Sequence, residues 1–515
     1  MLRVRSRWLT LSVAGLVVLG LALAYAMRSF SVPSASKLSY PPQLAEATEQ
    51  QIVTSCGGCH APITPEVLPR SVWRSQIKTM YTVNRDSPQY LDMPPLESVV
   101  AYFEKRAPET LPLAVMPPEP DRSWLRWQHQ GAALPDQPPV PGVANVAVMS
   151  LQGRGRSEIV VCDARLGNVL AYNPGNASWR VLGRTTAPCH TAVADLDGDG
   201  RQDLLVADLG SFFPSNDRVG SVVWLRGAAD GTYRPQTLLD GVGRVADVEA
   251  ADFDGDGKLD LAVAEFGWRI PGSVLLLLNR TTDWSRPQFE RLELDSRPGA
   301  IHVCPGDLNG DGRMDLLTVL SQEFETVMAF LNQGSGKFES KIVWAASHPV
   351  FSSSGIQLVD LDGDGDHDVL LSNGDTLDPP YMLKAYHGVT WLENTGKFPF
   401  ASHVLTPMYG AMRAVAADFD HDGDQDVAAV AFLPVVFFPQ REQQKLDAIV
   451  LLEQTTRGTF VRRSLSQGAC DHFTCAAGDV DGDGRIDLVT GNFTFTKHAP
   501  IDHGIGWWRN LGPGS

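Results

Sequence analysis

One nine-residue pattern, D-x-[DN]-x-D-G-x-x-D, starts at Asp195, Asp252, Asp307, Asp360, Asp418 and Asp479. It places side-chain oxygens at positions 1, 3, 5 and 9 of a short loop. The sets are Asp195, Asp197, Asp199 and Asp203; Asp252, Asp254, Asp256 and Asp260; and Asp307, Asn309, Asp311 and Asp315. The remaining three are Asp360, Asp362, Asp364 and Asp368; Asp418, Asp420, Asp422 and Asp426; and Asp479, Asp481, Asp483 and Asp487. Position 6 is Gly every time, as a chain turning sharply around an ion requires. Clustered hard oxygens in a flexible loop suit Ca²⁺ rather than a transition metal, so up to six Ca²⁺ are expected. Of these 24 ligand positions, 23 are Asp, which repel one another in an empty loop. Six divalent ions would bring the formal charge of −17 to about −5.

The loops are not EF-hands. Those need a bidentate Glu at position 12, which here holds Val206, Val263, Thr318, Leu371, Ala429 and Thr490. Position 9 instead leads into a short apolar run such as Leu204-Leu205-Val206, which reads as a buried strand. Calcium in such strand–loop–strand sites is a staple. A degenerate seventh copy runs from Ser150 to Ile159, with Arg154 where a carboxylate should stand, and is expected to hold no metal. Copies spaced 45 to 61 residues apart have room for about four strands each, one blade of a β-propeller. A second strand signature recurs in step, for example at Phe330-Leu331-Asn332 and Trp507-Trp508-Arg509-Asn510. The last copy ends before its outer strand. The isolated Ser123-Trp124-Leu125-Arg126-Trp127 is predicted to supply it and close the ring, removing exposed sheet edges.

The amino-terminal part differs in kind. Arg3, Arg5 and Arg7 precede an apolar run from Trp8 to Ala26, long enough to cross a bilayer. Residues 1–30 therefore read as a signal peptide or membrane anchor; Ala24-Tyr25-Ala26 offers a cleavage site, while the length of the run and Arg28 fit an uncleaved helix. The rest of the chain is expected outside the cytoplasm, in the periplasm or an equivalent compartment, anchored to the inner membrane. Cys56-Gly57-Gly58-Cys59-His60 is C-x-x-C-H, the attachment signature of one covalent haem c: two thioethers from Cys56 and Cys59, and iron ligation by His60. No other Cys occurs before Cys162, which argues against a zinc site. Trp73, Ile77 and Met80 share one face of a helix starting near Ser71. Met80 is favoured as sixth ligand over Met93, and Met ligation raises the reduction potential. Helices are expected at about 42–55, from Ser71, and through Leu96, Val99, Val100 and Phe103 to a stop at Pro108. Residues 41–107 then form a small cytochrome c domain, 108–122 a Pro-rich linker, and 123–515 a seven-bladed propeller.

The repeats resemble the FG-GAP/VCBS repeats of integrin-α-type propellers over about residues 120–515. The arrangement as a whole resembles bacterial exported proteins that join a mono-haem cytochrome c to a VCBS propeller. Leu68-Pro69, Trp73, Met80 and Ala101-Tyr102 match the cytochrome pattern of that group. The resemblance implies electron transfer and calcium binding, without a substrate.

Five residues before each loop stand His190, Asp247, His302, Gly355, Arg413 and Thr474, with His472 nearby; these are expected to ring the mouth of the central channel. Phe212, Phe213, Phe266, Trp268, Tyr381, Phe437 and Phe438 lie in loops on the same face, as an interaction surface or as padding between blades. Cys470 and Cys475 offer a disulfide. Net acidity excludes nucleic acid as a partner. Three functions remain open: an electron carrier whose propeller docks a redox protein partner, an oxidoreductase passing electrons from the propeller face to the haem, and an adhesion or ligand-binding module with a haem sensor. No Ser–His–Asp, phosphate-loop or dinucleotide motif is present to name an enzyme, and the first reading is favoured.

Overall fold

Each repeat folds into an antiparallel sheet of four strands, and seven such sheets form the ring in this computed structural model. The structure describes residues 45–57, 61–86, 91–118, 124–136, 140–151, 157–497 and 504–513. In blade two, the strands are Pro188–Ala194, Asp203–Asp208, Gly220–Gly227 and Tyr233–Val242. The other blades follow the same order. Sequence character changes with distance from the axis. Second strands, such as Asp203–Asp208 and Asp315–Leu320, are buried at every residue because sheets cover both of their faces. Fourth strands, such as Phe289–Asp295, are largely exposed. First strands are half-buried because one edge faces the channel. First strands of neighbouring blades pack together, including Val143–Met149 of blade one against His472–Gly478 of blade seven.

The ring closes as its sequence requires. Leu125–Ala132 pairs antiparallel with the carboxy-terminal strand Ile505–Pro513 and completes blade seven. Arg126 donates to the carbonyls of Leu511 and Pro513, both at 3.1 Å. The Trp124 indole donates to Asp420 Oδ2 in the loop of blade six at 2.8 Å, and Trp127 meets Phe419 edge-on. Closure therefore joins the start of the ring to a neighbouring acidic loop.

Among the described residues, three α-helices come before the ring: α1 (Glu49–Cys56), α2 (Arg70–Asp86) and α3 (Leu96–Arg106). Helix α1 begins later than expected because Thr48 and Gln51 form a capping box. Trp73 and Ile77 on α2 and Val100 on α3 are fully buried, and Trp73 stacks on Phe103 at 4.2 Å. Val350 and Met382 from propeller loops pack against this cluster, and Gln76 Nε2 donates to Pro379 O at 3.3 Å. Part of the Pro-rich linker lies against the propeller. Tyr409 Oη accepts from the Ala114 amide at 2.7 Å, and Ala114 and Met116 pack on the blade five–six core. No helix among the described residues is long and apolar enough to cross a membrane; the run from Trp8 to Ala26 lies outside them.

The disulfide expectation is corrected: Cys470 and Cys475 are free thiols. Cys470 Sγ lies 3.6 Å from Leu446 O, in the core between blades five and six, whereas Cys475 packs in the cluster between blades six and seven. Beside Cys470, the segment carrying Phe437 and Phe438 is pinned by a fully buried pair, Arg441 and Asp471, with Nη1–Oδ1 at 2.9 Å. Arg441→Leu removes the buried guanidinium that faces the Asp471 carboxylate. It should cost about 3–5 kcal/mol in chemical denaturation, and a cost below about 1 kcal/mol would show that the pair does not hold the segment.

Candidate functional site

The six acidic loops share one geometry. Each joins the first and second strands of its blade. The position-1 carboxylate gathers loop amides: Asp195 accepts from the Asp199 N–H at 3.0 Å and the Gly200 N–H at 2.8 Å. Positions 4 and 6 take positive φ, as at Gly198 (69°) and Gly200 (82°). In the fifth loop, His421 holds position 4 at φ 63°.

Position 9 does more than the sequence implied. Asp203 is fully buried, with Oδ1 accepting from Gly227 N–H at 2.7 Å and Oδ2 from Leu196 N–H at 3.1 Å. The same pair of bonds recurs at Asp260, Asp315, Asp368, Asp426 and Asp487. This residue ties the loop to the end of the third strand. Burial raises these carboxyls against the pull of the amides, to about 6 at Asp368 and Asp487 and about 8 at Asp426. A bound cation would favour their ionised form. Oxygens of Asp252, Asp254 and Asp260 lie within 4.8 Å of one another, as do those of Asp195, Asp197 and Asp199, of Asp360, Asp362 and Asp368, and of Asp418, Asp420 and Asp426.

Arginines were not legible as partners of these loops. Position-3 carboxylates pair with Arg226 (Asp197), Arg280 (Asp254), Arg457 (Asp362) and Arg509 (Asp481). Part of the repulsion inferred from net charge is thus relieved from within the chain. In the degenerate copy, 152–156 lie outside the described residues, and Glu158 at position 9 pairs with Arg180 at 3.0 Å.

The residues expected at the mouth occupy one register position on successive first strands. Each strand carries an irregularity immediately before it: Pro188/His190, Val245/Asp247, Ala300/His302, Ser353/Gly355, Ala411/Arg413 and His472/Thr474. Four of these residues meet. His190 Nε2 lies 3.1 Å from Asp247 Oδ1, and His302 Nδ1 lies 3.1 Å from Asp247 Oδ2. Arg413 Nη1 stands 2.9 Å from His302 Nε2. It reaches across blade five because position 355 is Gly; a Cβ there would sit 2.8 Å from Nη1. Glu249, two residues beyond Asp247 on the same strand face, joins at 3.3 Å from His190 Nε2, and sequence reasoning missed it. Burial, reinforced by Arg413, pushes His302 down to about 4. Burial disfavours protonated His190, but Asp247 and Glu249 outweigh it and raise its pKa. His472 stands apart, with Nδ1 2.8 Å from Asn492 Oδ1.

The mouth aromatics divide. Phe212 stacks on Phe493, Phe493 meets Phe495, Phe495 meets Phe437, and Phe437 stacks on Tyr381 at 3.6 Å. Phe438 is buried padding, whereas Phe213, Tyr381 and Phe495 are exposed.

In the helical part, the Trp73 indole donates to the carbonyls of Pro65 and Leu68, fastening the Leu68-Pro69 turn to α2. Met80 and Met93 sit half-buried at the edge of the cluster that Trp73 and Ile77 fill. Cys56 ends α1, while Cys59 and His60 lie outside the described residues.

Seven four-stranded sheets, six of them with an acidic loop between first and second strands, define a seven-bladed β-propeller. Within it, residues 195–263 and 307–371 match the FG-GAP-like repeat. The chain is 31% identical to integrin alpha-4 of Xenopus laevis over 179 residues, 30% of this chain and 17% of that protein. It thus spans about a sixth of that relative's length. Among solved structures, BBS1N in complex with ARL6DN is similar with a TM-score of 0.45 at 11% identity, covering 76% of this chain and 98% of that one. Hydrazine synthase of Kuenenia stuttgartiensis gives 0.43 at 14%, covering 69% and 93%. At these scores the likeness carries no functional information.

If Ca²⁺ fills the loops, chelation with EGTA should lower the propeller's melting temperature, followed by circular dichroism. Each site held at 100-fold above its Kd contributes about 2.7 kcal/mol. Unchanged melting would mean that the arginines and backbone amides alone hold the loops.

Proposed function

We propose that the protein is an exported c-type cytochrome acting in electron transfer, with the propeller as docking platform for a redox protein partner in the periplasm or membrane. The observation that carries this reading is the motif Cys56-x-x-Cys59-His60, whose first residue ends α1, together with two Met residues, Met80 and Met93, half-buried at the edge of the helical cluster. Cys56 and Cys59 would hold one haem c through thioethers, with His60 and Met80 as axial ligands. Haem bound there supplies a one-electron iron couple. Trp73, fixed by two carbonyls, keeps α2 and its Met80 in register with the loop that precedes it. The packing of Val350 and Met382 on the helical cluster supports a route in which a partner docked on the propeller lies near the redox centre. Up to six Ca²⁺ in the acidic loops would stiffen that platform, and the amino-terminal apolar run would keep it at the membrane.

A second reading, an oxidoreductase using the propeller face, draws on the His190–Asp247–His302 cluster. The relative's name, integrin alpha-4, supports a third, ligand binding or adhesion.

Expression in a host with c-type haem maturation should give an intact mass increased by one haem, abolished in Cys56→Ser/Cys59→Ser. Met80→Ala should remove the Met–iron absorption and lower the reduction potential, with Met93→Ala close to wild type. A chain carrying no covalent tetrapyrrole would end the electron-transfer proposal.

A further inference from the structure

We propose that His190, Asp247, Glu249 and His302 form a binding site for one divalent transition-metal ion in the central channel, separate from the calcium loops. First strands bring the four together from three consecutive blades. Five residues along a strand separate this cluster from the acidic loops, about 16 Å.

The spacing fits a metal. One ring nitrogen each of His190 and His302 and a carboxylate oxygen of Asp247 all lie within 4.8 Å of one another. Two imidazoles flank the two oxygens of one carboxylate at 3.1 Å, and Glu249 Oε1 stands 3.3 Å from His190 Nε2. Donors bound at about 2.0–2.2 Å to one ion lie roughly 3 Å apart, so small movements would admit it. Charge points the same way. Asp247 and Glu249 bring two negative charges against the single guanidinium of Arg413, in a site where the Asp247 side chain is 3% exposed. With the guanidinium displaced, one divalent ion balances the two carboxylates, and two imidazoles make it a place for an ion with nitrogen affinity. Ca²⁺ prefers all-oxygen sets, whereas imidazole with carboxylate suits Zn²⁺, Fe²⁺ and their neighbours.

Arg413 is the built-in competitor. His302 bound to metal through Nδ1 carries its proton on Nε2, which then no longer accepts from Arg413. Loading therefore displaces the guanidinium, and Gly355 leaves the space through which it moves. Removing the Arg413 charge should strengthen metal binding, the opposite of what loss of a purely structural contact would do.

The test is equilibrium dialysis of the full chain against buffered Zn²⁺ in excess Ca²⁺, with zinc read by mass spectrometry. Wild type is expected to hold one Zn²⁺. Asp247→Asn, which keeps the size of the side chain but turns one acceptor oxygen into an amide donor, should weaken it by about 100-fold. Arg413→Met should tighten it by about tenfold. Cys56→Ser/Cys59→Ser should leave it unchanged. If Asp247→Asn melts too low to assay, the gain in Arg413→Met decides alone, since misfolding does not tighten a specific site. Absence of zinc in wild type, equal affinity in Asp247→Asn and Arg413→Met, or loss of the ion in the cysteine variant would each overturn the proposal.

Discussion

A buried aspartate at the ninth position of each acidic loop is the constraint on which this ring rests. Its two oxygens accept amide protons from two places distant in sequence: the loop's second residue and the residue closing the third strand. Hydrogen bonds to a charged acceptor are worth about 1.5–3 kcal/mol each, and here they recur in six blades. They fix the loop's path, so the remaining carboxylates converge at its tip. A cation bound there would favour the ionised form of the buried aspartate. Folding of the blade and shaping of the acidic loop are thus one event.

The scaffold is nearly symmetrical, and chemistry concentrates where symmetry is broken. One register position looks into the channel from every first strand, and each blade reaches it through the same backbone irregularity. Two His, one Asp, one Gly and one Arg at that position create a charged network that none of the blades contains alone. The aromatic chain from Phe212 through Phe493 and Phe495 to Phe437 and Tyr381 is assembled in the same way, from loops of separate blades. The helices before the ring add a third asymmetry, a small core of their own that borrows Val350 and Met382 from the propeller.

Much of this was legible because repetition amplifies local signals. The acidic loops, the buried second strands and the closing strand around Leu125 follow from spacing and periodicity. Helix α2 was readable from Trp73, Ile77 and Met80, while α1 begins at its capping box instead of at the preceding apolar residues. The errors share a cause. Cys470 and Cys475 are near in sequence but are turned into different inter-blade cores. The contacts of the Pro-rich linker were not legible because its anchor, Tyr409, is almost three hundred residues away. Arginine partners of the loops and Glu249 at the mouth were missed because they belong to other strands or another layer of the channel.

Residue order alone determined the number of blades, the oxygen-rich loops and the C-x-x-C-H motif, because each is written in contacts between near neighbours in the chain. Only the tertiary structure decided which of the six equivalent positions meet, that Arg413 crosses Gly355 to reach His302, and that the position-9 aspartates are fastened from two sides. Those outcomes depend on curvature of the ring and on side-chain reach between blades, and neither is encoded in the spacing of any single repeat.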